Sequence, residues 1–276
     1  MNSLIELFHY RFFVTALLTA VLASISCGIV GTYIVSKRKV FISDGITHAS
    51  FGGIGIAFYM GINPIVGAVI FAIISALGIE FISKKGDIRE DSAIGMIWSL
   101  GMALGIIFIF ITPNYAPNLM SFLFGNILTV TSTEVLLMFA LTAIISLFFY
   151  FFYKTILFIA FDEEYARTHR LPVQMFNYLM IALIALCIVL NIRTTGIILV
   201  LSFLTIPQST ANIFTRNFSS IIFYSICFGI AGSVMGLLLS YYFNIPSGAC
   251  IIFVFVIVFI CAKVLKMFCT KLLKSK

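Results

Sequence analysis

Two side chains that can bind a metal ion, Asp44 and His48, lie four residues apart at the start of an apolar segment. Residues at this spacing share one face of a helix, so the carboxylate and the imidazole would project together. Carboxylate oxygen and imidazole nitrogen are ligands for Zn²⁺ and Mn²⁺. Because ionisable groups are costly inside a bilayer, those found there are usually functional. The pair therefore predicts a divalent-metal site within a membrane segment.

A structural role for this pair is the alternative. Asp44 could cap the start of a helix, or the two side chains could form a local ion pair or hydrogen bond. His48 would lie more than one turn into the helix, and small side chains dominate residues 49–53. Small side chains leave room for a second helix or for a passage, which favours the metal site.

One chain offers two ligands from this pair, whereas Zn²⁺ takes four. Two copies around a common axis would present two carboxylates and two imidazoles, so the metal hypothesis predicts a homodimer. That set suits tetrahedral Zn²⁺, and with added waters it also suits Mn²⁺, which accepts six ligands and prefers oxygen. The tetrahedral set favours zinc, but Mn²⁺ and Fe²⁺ remain open.

The composition requires a membrane environment for most of the chain. Of the 276 residues, 62% are hydrophobic and 10% are charged, whereas soluble domains carry about 25% charged residues. We therefore predict an all-α, polytopic membrane helix bundle. The net charge of +7 comes from basic residues clustered in short connections, so nucleic acid is not expected as a partner. Nine apolar segments are long enough to span a bilayer: roughly 12–36, 45–61, 64–82, 92–112, 134–153, 173–191, 194–213, 218–243 and 247–266.

The basic residues predict the orientation. With the N-terminus outside and the C-terminus cytoplasmic, 15 of the 17 Lys and Arg residues lie on the inner side, as the positive-inside rule requires. The apolar stretch 119–130 has only 12 residues, so we interpret it as a re-entrant or interfacial segment on the outer side. The residues 131–134 that follow it have the pattern of a capping box opening the fifth span.

No catalytic apparatus is evident in the sequence. It contains no G-x-x-x-x-G-K-[ST] loop for ATP phosphates and no Ser/His/Asp or Cys/His set, so we predict a protein that is not an enzyme. The inner loop 160–172 is polar, compatible with a helix and closed by a proline. From these residues alone, a helix lying against the membrane and a helix that docks a partner are equally favoured.

Five motifs in order resemble the permease family of bacterial zinc and manganese ABC importers, in particular zinc-uptake permeases of the ZnuB kind. The resemblance extends over nearly the whole chain, and no single motif would be sufficient. The motifs are Ile42-Ser43-Asp44-Gly45-Ile46-Thr47-His48-Ala49, Ser121-Phe122-Leu123-Phe124-Gly125-Asn126-Ile127-Leu128, Phe161-Asp162-Glu163-Glu164-Tyr165-Ala166, Gly196-Ile197-Ile198-Leu199-Val200 leading to Ile206-Pro207, and Pro246-Ser247-Gly248-Ala249.

The resemblance implies a single permease domain over residues 1–276 in the bacterial inner membrane, in contact with lipid. It implies high-affinity zinc uptake, with the ion as transported substrate and no permanently bound cofactor. The expected partners are a second copy, cytoplasmic ABC ATPase subunits and an extracytoplasmic metal-binding protein. The resemblance places the metal at Asp44 and His48. It assigns ATPase coupling to a short cytoplasmic helix through Phe161, Asp162, Glu163, Tyr165 and Ala166.

Two alternatives to the zinc importer stay open. The same motifs occur in manganese importers, so a manganese or iron ABC importer permease is the first. A secondary metal-ion carrier is the second, but a carrier needs a further intramembrane site for its coupling ion. Only the pair at Asp44 and His48 is predicted inside the membrane, which favours an importer driven by a separate ATPase.

Overall fold

The computed structural model describes residues 10–86, 88–112, 125 and 127–274. Within these ranges the chain is helical, with ten α-helices and a short 3₁₀ turn at Ile127–Thr129. The helices are α1 (Arg11–Ser36), α2 (Val40–Tyr59), α3 (Pro64–Lys85), α4 (Glu90–Ile111), α5 (Ser132–Phe161), α6 (Glu163–Thr168), α7 (Val173–Thr195), α8 (Ile197–Phe214), α9 (Phe218–Phe243) and α10 (Ser247–Lys274).

Eight of the described helices are long and apolar enough to cross a membrane, which confirms the polytopic helical bundle. Each of the nine predicted spans corresponds to a long helix. The long helix that falls outside the set of eight is α2, which carries Asp44 and His48. The prediction of an all-α membrane protein is therefore confirmed.

Two predicted boundaries were wrong. One predicted span ended at residue 191 and the next began at residue 194, but α7 continues to Thr195 and the chain turns at Gly196. Gly196 has a φ of 86°, which is available to glycine without steric cost. The fifth span was predicted to end at residue 153, but α5 runs on to Phe161 and departs from helical geometry at Phe152.

The start of α5 has the predicted capping box. The Thr131 backbone N–H donates to Glu134 Oε2 at 2.8 Å, and the Glu134 N–H donates back to Thr131 Oγ1 at 3.4 Å. The reciprocal bonds satisfy two amide groups that a helix start leaves without partners. Most of the predicted re-entrant segment, residues 119–124 and 126, lies outside the described residues.

The chain divides into two compact units. The first contains α1, the part of α5 up to Phe151, and α8 to α10. The second contains α2 to α4, the part of α5 from Phe152, α6, and α7 up to Arg193. The second unit includes all the residues predicted to bind metal or to couple to an ATPase.

In the first unit, Gln208 compensates for a proline within α8. Pro207 has no backbone N–H, so the carbonyl of Phe203, one turn earlier, loses its helical donor. The Gln208 side-chain Nε2 donates to that carbonyl at 3.0 Å and to the carbonyl of Cys27 on α1 at 2.8 Å. The side-chain amide of Gln208 therefore replaces the donor that Pro207 lacks.

Candidate metal centre and coupling helix

The two predicted metal ligands share one face of α2. The helix begins at Val40 and its N-cap residue is Lys39, so Asp44 lies inside the helix and is not its cap. His48 Nε2 lies 3.5 Å from Asp44 Oδ1, and the two side chains are 18% and 27% exposed. The two side chains can therefore form a local ion pair, or they can hold one cation between them.

The second unit supplies two ligands at this position. Among the described residues, no cluster of three or more His, Cys, Asp or Glu side chains could hold a metal ion. A transition metal takes four to six ligands. An ion bound between Asp44 and His48 would therefore need ligands other than the His, Cys, Asp and Glu side chains of the described residues.

Glycine contacts hold α2 closely against α3 and α4. A Cβ placed at Gly53 of α2 would lie 2.1 Å from the carbonyl oxygen of Gly67 on α3. A Cβ at Gly55 would lie 2.5 Å from the carbonyl oxygen of Gly105 on α4. Glycine therefore lets the backbones touch, as small residues do in other membrane bundles. The rigid backbone contacts fix the position of α2 within this unit.

Trp98 of α4 packs against the candidate ligand His48. This contact was not predicted from the sequence. Its indole ring is stacked on the His48 imidazole, with ring centroids 4.6 Å apart and planes 14° apart. The chain contains a single tryptophan. Its being the single tryptophan is the one sequence signal that could have pointed to Trp98, because helical periodicity does not reveal which side chain of a neighbouring helix faces His48.

A basic residue connects the start of α2, the end of α3 and the start of α4. Lys39 Nζ lies 3.0 Å from Glu90 Oε1 of α4 and 3.7 Å from Glu80 Oε2 of α3. The Glu80 side chain is only 3% exposed. A buried carboxylate needs a cation nearby, so this cluster stabilises the helix ends adjacent to the candidate metal pair.

The predicted coupling residues form the short helix α6 and its start. The Asp162 carboxylate is the N-cap and accepts from the Tyr165 backbone N–H at 2.9 Å. Ala166 is fully buried, whereas Phe161 and Tyr165 are 62% and 45% exposed. The helix predicted in the inner loop is therefore present. The rings of Phe161, at the end of α5, and of Tyr165, on α6, are exposed, while Ala166 packs inward.

Glu163 of α6 binds the connection between α1 and α2. Its Oε1 accepts hydrogen bonds from Lys37 Nζ and, at 3.3 Å, from the Asn177 side-chain amide of α7. The Lys37 side chain is 9% exposed. Burial lowers the pKa of the Lys37 ammonium, and the hydrogen bond to Glu163 opposes that shift. Glu163 therefore anchors α6 within the second unit, a role that the sequence reasoning did not distinguish from docking.

A cavity of about 600 Å³ lies elsewhere in the second unit. Neither Asp44 nor His48 lines it, so the cavity is separate from the candidate metal centre. Its walls are mostly apolar, and residues of α2, α3 and α7 contribute to them: Ser50, Ile54, Phe58, Pro64, Ile192 and Arg193.

Comparison with known proteins gives a consistent result. Residues 9–266 match the ABC 3 transport family. The manganese transport system membrane protein MntC of Listeria monocytogenes is 36% identical over 256 residues, which cover 93% of this chain and 91% of that protein. A protein of Haemophilus influenzae named "Probable iron transport system membrane protein" is 34% identical over 249 residues, covering 90% of this chain and 92% of that protein.

A solved structure agrees with these relatives. PsaBC from Streptococcus pneumoniae in complex with Fab contains a chain that is 32% identical and superposes with a TM-score of 0.84. The match covers 94% of this chain and 95% of that one. The two similar proteins above are named for manganese and iron, so they give no support to the zinc-specific part of the sequence prediction.

Proposed function

The chain belongs to the ABC 3 transport family, and on that basis we propose that it is the membrane permease of an ATP-driven importer of a divalent transition metal, most readily Mn²⁺. The observation that carries the proposal is the Asp44–His48 pair on α2, with its 3.5 Å separation. ATP hydrolysis is assigned to a separate ATPase subunit, since the sequence contains no P-loop of its own.

A homodimer completes the proposed metal site. One chain contributes one carboxylate and one imidazole, and a second copy related by a two-fold axis contributes the same pair. Two carboxylates offset the charge of a divalent ion in a region of low dielectric. The ion is a substrate in transit, so partial coordination by water is compatible with its release.

Manganese is preferred to zinc for two reasons. The Asp44 and His48 side chains are 27% and 18% exposed, which leaves space for water, and Mn²⁺ accepts six ligands with a preference for oxygen. Relatives named for manganese and iron support the same choice. Zinc, which the four-ligand set favours by tetrahedral geometry, is the second candidate.

We assign ATPase docking to α6. The exposed rings of Phe161 and Tyr165 would enter a groove on the ATPase, as aromatic anchors commonly do in protein interfaces. The capped start at Asp162 and the inward contacts of Glu163 and Ala166 would hold this short helix rigid. A rigid helix can transmit the movement of its partner.

The charge distribution supports the orientation, with the N-terminus outside and the C-terminus in the cytoplasm. Membership of the ABC 3 transport family supports our assignment of residues 1–276 to one permease domain of the inner membrane. An extracytoplasmic binding protein would deliver the ion on the outer face. ATP binding and hydrolysis in the partner would move α6, shift the population from an outward-open to an inward-open state, and release the ion into the cell.

Uptake measurements test the metal site directly. Reconstituted transporters with Asp44→Asn or His48→Gln are expected to lose at least tenfold in radioactive manganese uptake at equal membrane abundance. Asp91→Asn, at the exposed start of α4, is the matched control and should transport normally. Unchanged uptake of both manganese and zinc in the first two variants would remove the site assignment. Zinc uptake exceeding manganese uptake in the wild type would instead select the second candidate.

Co-purification tests the docking helix. Phe161→Ala and Tyr165→Ala should reduce the amount of ATPase retained by the permease severalfold. Tyr150→Ala removes a ring that is 79% exposed on α5 and should leave retention unchanged. Full retention and fully coupled ATP hydrolysis in the α6 variants would contradict the assignment.

A further inference from the structure

Metal-binding histidines are normally oriented by a second hydrogen bond. One ring nitrogen binds the metal, and the other donates to a carboxylate or carbonyl that fixes the ring plane. In His48, Nε2 faces Asp44, so Nδ1 is the nitrogen expected to make that second bond. Nδ1 is buried, and no hydrogen-bond partner lies within reach among the described residues. A different contact must therefore set the orientation of this ring.

The indole of Trp98 provides such a contact. The two rings are nearly parallel at 14°, with centroids 4.6 Å apart, so rotation of the imidazole about its Cβ–Cγ bond would break the stack. Stacked aromatic pairs contribute beyond the area that they bury. The face of an indole also attracts positive charge, and the imidazole gains positive character when a divalent ion binds it.

The helices α2 and α4 are in close contact on both sides of this stack, through the Ile94 side chain on one side and through backbone atoms on the other. A Cβ at Gly45 would lie 2.6 Å from Ile94 Cγ2, and a Cβ at Gly101 would lie 2.5 Å from the Cα atom of Ala49. Ile94 and Gly101 flank Trp98 along α4, as Gly45 and Ala49 flank His48 along α2. The two ring-bearing Cα atoms are therefore held by rigid contacts within a turn of each ring.

We propose that Trp98 is the positioning residue that orients His48 toward the transported ion, by stacking in place of the usual second hydrogen bond. This inference rests on the proposed function, because it takes His48 as a ligand of the ion. Trp98 does not touch the ion itself. Its loss should therefore weaken binding of the ion more than it slows the transport cycle.

Transport kinetics separate a positioning role from a general structural one. In reconstituted full transporter, Trp98→Leu should raise the KM for Mn²⁺ about five- to tenfold, with kcat within about twofold of the wild type. Trp98→Phe keeps an aromatic face and should stay within about twofold in KM. Phe110→Leu, which removes a ring that is 88% exposed on the same helix, is the matched control and should match the wild type.

Fluorescence gives a readout that does not depend on transport. Trp98 is the single tryptophan of the chain, so tryptophan emission from the purified full-length permease in detergent micelles reports this ring alone. Mn²⁺, added as the free metal, should change the emission of the wild type, and His48→Gln should abolish the change. A wild-type KM in Trp98→Leu, or an emission change that persists in His48→Gln, would overturn the inference.

The proposed metal site and the proposed role of Trp98 can be refuted separately. If His48→Gln transports manganese normally, the proposed metal site is wrong and the inference fails with it. If His48→Gln loses transport while Mn²⁺ leaves the wild-type emission unchanged, the proposed function stands and Trp98 is not the positioning residue.

Discussion

A single methyl group added to α4 should test whether the metal pair depends on backbone contact. In Gly101→Ala the new Cβ would lie 2.5 Å from Ala49 Cα and 2.7 Å from the Ala49 carbonyl oxygen. Ordinary contact begins near 3.4 Å, so α2 and α4 must separate by about 0.9 Å at this point. Functional side chains tolerate only about 0.5 Å of displacement. The substitution should therefore misplace His48 relative to Trp98.

A matched glycine on the same helix provides the control. A Cβ at Gly95 has no atom within 4 Å, so Gly95→Ala adds the same methyl group without a clash. Both substitutions gain about 1 kcal/mol of helix propensity. Only Gly101→Ala also introduces steric overpacking, which costs about 1–3 kcal/mol. We expect Gly95→Ala to raise the melting temperature slightly, whereas Gly101→Ala should have a melting temperature no higher than that of the wild type.

The assay is manganese uptake by reconstituted transporter, normalised to the amount of permease in the membrane. Gly101→Ala should lose about tenfold or more of the wild-type rate, by analogy with the cost of a displacement of about 1 Å in an active site. Gly95→Ala should keep the full rate. If the two variants have equal uptake and equal melting temperatures, the α2–α4 contact does not position the site and the reasoning is refuted.

Three further predictions concern other parts of the chain. Gln208→Leu should destabilise the permease by about 1–3 kcal/mol, because the carbonyls of Phe203 and Cys27 lose a donor; an unchanged melting temperature would contradict this. Burial lowers the pKa of Lys37, so the unfolded chain binds this proton more tightly than the folded chain. The stability of the wild type should therefore rise relative to that of Lys37→Met as the pH increases toward 10.5. Melting temperatures of both proteins at neutral and alkaline pH test this, and a difference between them that does not change with pH would refute it. Asp162→Ala should cost α6 about 1 kcal/mol of capping and reduce ATPase retention, which co-purification can measure against the wild type.

The sequence was sufficient for features that depend on local pattern. Long apolar segments predicted the spanning helices, the four-residue spacing placed Asp44 and His48 on one face, and the capping box at Glu134 was readable from residue type. These predictions succeed because hydrophobic periodicity and capping act over one or two turns.

Features that depend on contacts between distant segments could not be predicted in this way. The stack of Trp98 on His48 depends on the rotation of α4 about its axis, which backbone contacts between glycines set. The hydrogen bond from Lys37 to Glu163 joins residues separated by 126 positions. The end of α7 was misplaced because Asn191 and Arg193 are turn-compatible residues that stay helical here, with the Asn191 side-chain amide donating to the Cys187 carbonyl of its own helix.

The glycine contacts of α2 have a consequence for leakage. The helix has 20 residues and is about 30 Å long, and its contacts with α3 and α4 join main chains rather than pliable side chains. A rigid helix tilts as a whole, so an outward displacement of one end accompanies an inward displacement of the other end. In the proposed transporter, a translocation path lined by α2 would therefore close at one face as it opens at the other, which would limit leakage of the ion.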